Sequence, residues 1–151
     1  MAGIPLHIHD LDLIVSLFSN PELRMVHSCQ GRDSLYPEYY RFLYQCGDIQ
    51  VQAEAAWYHA RVPFAASWKV YFENALLESL PDGSVTAYQF DAPPYHFELT
   101  EPVSVNSDIN LPATGMFYRE LSDFINRVQQ GETGCARHKE IMQVLEILEN
   151  M

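Results

Sequence analysis

Apolar residues recur at helical spacing in HDLDLIVSLF, residues 9–18, where Leu11, Ile14, Val15 and Phe18 share one face. Asp10 and Asp12 stand near its start, where the helix dipole favours negative charge, and Asn20-Pro21 ends it. The period then shortens to two. Strands are predicted over 24–29, 39–45, 49–58, 65–72, 76–79, 85–90 and 95–99. Cys46-Gly47-Asp48 joins the second and third as a hairpin, and Pro81-Asp82-Gly83 marks a later turn. Along 49–58 the alternation is clean: Val51, Ala53, Ala55 and Trp57 point one way, and Gln50, Gln52 and Glu54 the other. After Pro112 the helical period returns. Met116, Leu121, Phe124, Ile125 and Val128 predict a helix stopped by Gly131, and Ile141, Val144, Leu145 and Leu148 predict a last one over 136–150. The order helix, strands, helices reads as α+β: a mainly antiparallel, open-faced sheet with helices packed on one face, as a single domain over residues 1–151.

Hydrophobic residues make up 48% of the 151, enough for a folded core and too many for a disordered chain. A formal net charge of −11 argues against nucleic acid and against an anionic membrane surface as partners. The three cysteines, Cys29, Cys46 and Cys135, are odd in number and lack a C-x-x-C pair, which argues against a disulfide framework or a zinc knuckle. The opening MAGIPLHIHD has neither the basic nor the apolar stretch of a secretion signal, and no apolar run approaches the ~20 residues of a membrane span, so a cytoplasmic location is expected.

No strand-then-GxGxxG unit and no GxxxxGK[ST] loop is present, so the chain is expected to hold no dinucleotide itself. The chemistry-bearing cluster is His7, His9, Asp10 and Asp12. Read as a strand, H-x-H would set both imidazoles on one side and invite a metal, although His27, His59, His96 and His138 stand in unrelated segments and offer no third ligand group. Asp10 and Asp12 also suit a helix N-terminus without further chemistry.

Four segments in order resemble the Gfo/Idh/MocA family, the glucose–fructose oxidoreductase and inositol dehydrogenase group. LHIHDLDLI is similar to the Asp-x-x-x-His-Asp-x-Asp region that opens the family's C-terminal domain. AEAAWYHARVPFAASWKVYFENALLES resembles its Trp-Tyr strand, Pro-Phe step and Phe-Glu-Asn hairpin. DGSVTAYQFD resembles the strand after it, and FYRELSDFINRVQQGE with the Leu145–Leu148 segment resembles its closing helices.

The resemblance implies a two-domain oxidoreductase in which a Rossmann domain outside these 151 residues binds NAD or NADP. This half would shape the site for a sugar, polyol or small alcohol and would pair with another subunit through its sheet. By itself it would be inactive. Removing the hydroxyl proton needs a base that titrates near neutral pH, as imidazole does, and the motif assigns that role to His9. Pro5 stands where the family has the Asp four residues before this His; it offers no acceptor to orient the ring. His7 is expected to compensate in part from the substrate pocket, and Asp12 to lie at the pocket's edge. Trp57, Tyr58 and Trp68 are aromatic enough to stack on a sugar but equally suit core or interface. The sheet face expected to meet the partner carries Tyr40, Phe42, Tyr44, Gln50, Gln52 and Glu54. Two further readings are open: a non-catalytic binding or dimerisation module of the same fold, and a small metal-dependent hydrolase or isomerase built on HIHD.

Overall fold

The computed structural model describes residues 3–18, 20–57, 61, 63–98, 116–132 and 137–151. They form three helices and two antiparallel sheets, a mixed α+β architecture. The strands therefore divide between two sheets where one was expected. The chain forms two compact units, one of residues 1–62 with 134–151 and one of 63–133.

In the first unit, helix α1 (Gly3–Leu17) precedes strands β1 (Glu22–Cys29), β2 (Tyr39–Cys46) and β3 (Ile49–Ala56), and helix α3 (His138–Glu149) closes it. The sheet order is β1-β2-β3. Strands β2 and β3 meet through Gly47-Asp48, with Cys46 opposite Ile49. Gly47 has φ 61°, a left-handed first turn position that suits a two-residue hairpin loop and that glycine adopts without steric cost. In β1 the pairing slips at Arg24, so Leu23 lies opposite Tyr44 and Val26 opposite Phe42. The extra residue places Leu23 and Val26 on the same face, three apart in sequence, as a bulge does.

Register settles which residues face inward. Phe42 lies opposite Ala53 and Tyr40 opposite Ala55, and all four are buried. Tyr40, Phe42 and Tyr44, expected on the open face, are thus core residues; only Gln50, Gln52 and Glu54 of that set face outward. The small alanines of β3 leave room beside the rings, and α1 fills it with Leu11, Ile14 and Val15. Helix α3 packs against α1 and adds Val144 to the same core. The outer face carries Arg41, paired with Glu54 at 2.9 Å, among Gln50, Gln52 and the half-buried Leu43.

The second unit contains β4 (Trp68–Tyr71), β5 (Ala75–Ser79), β6 (Val85–Gln89), β7 (Tyr95–Phe97) and helix α2 (Met116–Gln129), with the strands in sequential antiparallel order. Tyr58 and Leu99, expected at strand ends, lie outside the described residues. At the β5–β6 turn, Gly83 has φ 85° and the Asp82 carboxylate accepts from the Ser84 N–H at 2.9 Å and from its hydroxyl at 2.7 Å. Those two bonds to the ionised form hold the Asp82 carboxyl below its usual range.

The faces of this sheet differ in chemistry. One carries Lys69 bound to Glu78 at 2.6 Å and Thr86 bonded to His96 at 2.9 Å, beside Tyr71, Leu76 and Tyr88. The other carries Trp68, Val70, Leu77, Val85, Tyr95 and Phe97, with Tyr95 60% and Phe97 41% exposed. On α2, Leu121, Phe124, Ile125 and Val128 are also exposed. Packing of helices on a sheet face is thus realised by α1 in the first unit.

Candidate functional site

Helix α1 begins at Gly3, six residues before the predicted start, and so contains the whole HIHD segment. Pro5 falls in the first turn, where its missing N–H leaves no helical hydrogen bond unmade. This helical geometry removes the basis of the metal reading. On a strand His7 and His9 would share a side, but on a helix residues two apart diverge by about 200°. His7 is fully buried, and His9 is exposed. Among the described residues no group of three or more His, Cys, Asp or Glu is placed to hold a metal.

His7 occupies an apolar position of the helix stripe, four residues before Leu11. Its ring stacks on Phe42 with centroids 3.7 Å apart and planes 8° from parallel. Its Nε2 lies 2.6 Å from the Tyr44 hydroxyl. Burial, and secondarily the Asp10 carboxylate, push the Tyr44 phenol well above its ordinary range, so the hydroxyl keeps its proton. With Tyr44 as donor, Nε2 is the acceptor and Nδ1 is the ring's other polar atom. That nitrogen faces Asp10 Oδ2 at 3.5 Å and has no hydrogen-bond partner. The arrangement is a buried polar pin between α1 and β2. It takes His7 out of the expected substrate pocket and leaves it unable to orient His9.

His9 and Asp12 are nearer together, at i and i+3. With Ile8 they line one wall of a cleft whose other wall is Ile141, Val144 and Leu145 of α3. Its volume is about 220 Å³. The imidazole of His9 is open to solvent at this cleft, and no described side chain hydrogen-bonds to it.

Asp12 is engaged structurally. Arg137, at the N-terminus of α3, donates to Asp12 Oδ1 at 3.0 Å and to Oδ2 at 3.2 Å, a two-pronged clamp. Its Nε also donates to Glu140 at 2.6 Å. The bond to Glu140, followed by that to Asp12, holds the guanidinium pKa above its usual value. Asp12 thus ties α1 to α3 at the rim of the cleft, with both oxygens occupied.

Neither Tyr44 nor Arg137 was visible as a site residue in the sequence. His7 alone left a trace, because the His7-Leu11-Ile14-Phe18 spacing of 4, 3 and 4 continues the apolar stripe backwards. Trp57 and Trp68 are exposed in their own units, and Tyr58 lies outside the described residues.

The described glycines with positive φ, Gly47, Gly83 and Gly131, lie in a hairpin, a turn and a helix end. No described helix is long and apolar enough to cross a membrane. Comparison with family models, with curated proteins and with solved structures finds no match for this chain.

Proposed function

We propose that this chain is the substrate-side domain of an NAD(P)-dependent oxidoreductase acting on a sugar, a polyol or a related small alcohol. The observation that carries the reading is the placement of His9. The one histidine that the motif assigns as proton acceptor projects from α1 into solvent beside a cleft, while its neighbour His7 is buried in the core.

The division of labour follows from chemistry. An alcohol loses a hydride to the nicotinamide and a proton to a base. On this reading the hydride acceptor is held by a dinucleotide-binding domain, as the family resemblance implies. The chain contributes the base. A neutral imidazole at the cleft mouth accepts the hydroxyl proton and returns it to water. Asp12, already clamped by Arg137, shapes the edge of the pocket and keeps the α3 wall against α1.

The homodimer surface of this reading differs from the face first expected. The outer face of the first sheet carries the Arg41–Glu54 ion pair with Gln50 and Gln52, beside Met25 and Leu43. The exposed apolar face of the second sheet, with Trp68, Tyr95 and Phe97, is the better candidate for pairing with another subunit.

The chain joined to its dinucleotide-binding domain is expected to reduce NAD or NADP in the presence of a polyol or alcohol from a broad panel, read by nicotinamide absorbance. The chain alone is expected to give no signal with the same panel. Failure of the joined protein on every alcohol, sugar and polyol would leave a non-catalytic module of the same architecture. Favouring that second reading is Pro5, which leaves the His9 ring without an orienting carboxylate.

A further inference from the structure

A second chemical pair lies outside the His9 cleft. On a β-strand, residues i and i+2 point to the same face. His27 and Cys29 are so related on β1, after the bulge. Both are exposed, and Cys29 Sγ lies 3.4 Å from His27 Nε2, within reach of an S–H donating to an imidazole nitrogen. Strand β1 pairs only with β2 among the described strands, so the pair stands at a sheet edge and not beneath a neighbour. Across the sheet, Cys29 lies opposite Tyr39 and His27 opposite Arg41. The Arg41 charge is committed to Glu54 at 2.9 Å, which leaves His27 as the group in contact with the thiol. The contrast with Cys46 is sharp, since that thiol is buried in the core and burial pushes its pKa up.

We propose that Cys29 is a modification site, a nucleophilic thiol with His27 as its base, that exchanges with small aliphatic disulfides. An accessible thiol in contact with a proton acceptor is the arrangement that thiol–disulfide exchange requires. The Cys29 proton passes to His27 Nε2 as the sulfur attacks one sulfur of RS–SR. A Cys29–S–S–R bond forms and the reagent's S–S bond breaks. The leaving RS⁻ takes the proton from His27 and departs as RSH. Cys29 is oxidised, one reagent sulfur is reduced, and no other oxidant is needed. The chain's net charge of −11 adds a selectivity: a cationic disulfide is attracted and an anionic one repelled, more so at low salt. This inference is independent of the oxidoreductase reading.

The test incubates the reduced chain with cystamine at pH 7 and follows the adduct at each cysteine by digestion and mass spectrometry. The expected result is an adduct at Cys29 well before Cys46, with a rate that falls about tenfold in His27→Ala. Added imidazole is expected to restore much of that loss. In strong base, where hydroxide replaces the imidazole, the two chains are expected to converge. Oxidised glutathione, which is anionic, is expected to react more slowly than cystamine, with a gap that narrows in salt. Circular dichroism confirms that His27→Ala is folded. An unchanged rate in folded His27→Ala, no rescue by imidazole, or an adduct confined to Cys46 or Cys135 would each overturn the proposal.

Discussion

The pin between α1 and β2 rests on one short bond, from the Tyr44 hydroxyl to His7. Tyr44→Phe removes the donor and leaves a buried imidazole nitrogen without a partner. That loss is expected to cost about 1–3 kcal/mol, measured by denaturant unfolding. The same substitution alters the alkaline limb of stability. The folded-state phenol titrates above its ordinary value of 10.0, because burial disfavours the phenolate. The stability it contributes is complete below about pH 10, where both states are protonated, and is lost as pH rises further and the unfolded chain alone releases the proton. Tyr44→Phe is therefore expected to flatten the fall in stability above about pH 10. A chain whose alkaline stability is unaltered by the substitution would show that Tyr44 is not desolvated as described. At this scale the sequence singled out His9 and Asp12 but not the contacts that position their helix. His7 is a polar residue in an apolar stripe, and its partner is 37 residues away. Arg137 reaches Asp12 across 125 residues, a contact with no local signature.

Elements fit because large and small side chains alternate across the β2–β3 ladder. Phe42 faces Ala53, and Leu11 of α1 is buried in the same core. Ala53→Leu is expected to cost about 1–3 kcal/mol through overpacking. Gln52→Leu, one residue away on the exposed face, is expected to change stability by less than about 0.5 kcal/mol. Equal effects of the two in denaturant unfolding would mean that the strand is turned over. The alternation of β3 was legible, since its polar residues all fall on one parity. That of β2 was not: in YYRFLYQC both parities carry aromatic or aliphatic side chains. Only the pairing of Phe42 with Ala53 decides which faces α1. The start of α1 was missed for a related reason, as Pro5 and two histidines mask a helical period that a first-turn proline does not interrupt. The hairpins and the last two helices read well because their turn glycines and periodicity are local signals.

For the whole molecule, the α+β order and the antiparallel pairing were legible, but the number of sheets was not. Hairpin signals specify pairing between neighbouring strands and are silent where two strands do not pair, as β3 and β4 do not. The functional account joins these scales at one side chain. The buried pin fixes α1, the Arg137 clamp fixes α3 beside it, and His9 is left at the open cleft between them. The direct test of the proposed oxidoreductase function is the rate of alcohol oxidation by the chain joined to the dinucleotide-binding domain that this proposal implies, compared with His9→Ala in the same protein. General-base catalysis of this kind contributes about 10²–10⁴-fold, so kcat is expected to fall by about that factor while binding of the nicotinamide nucleotide is unchanged. Turnover in folded His9→Ala equal to that of the unaltered enzyme would contradict the account.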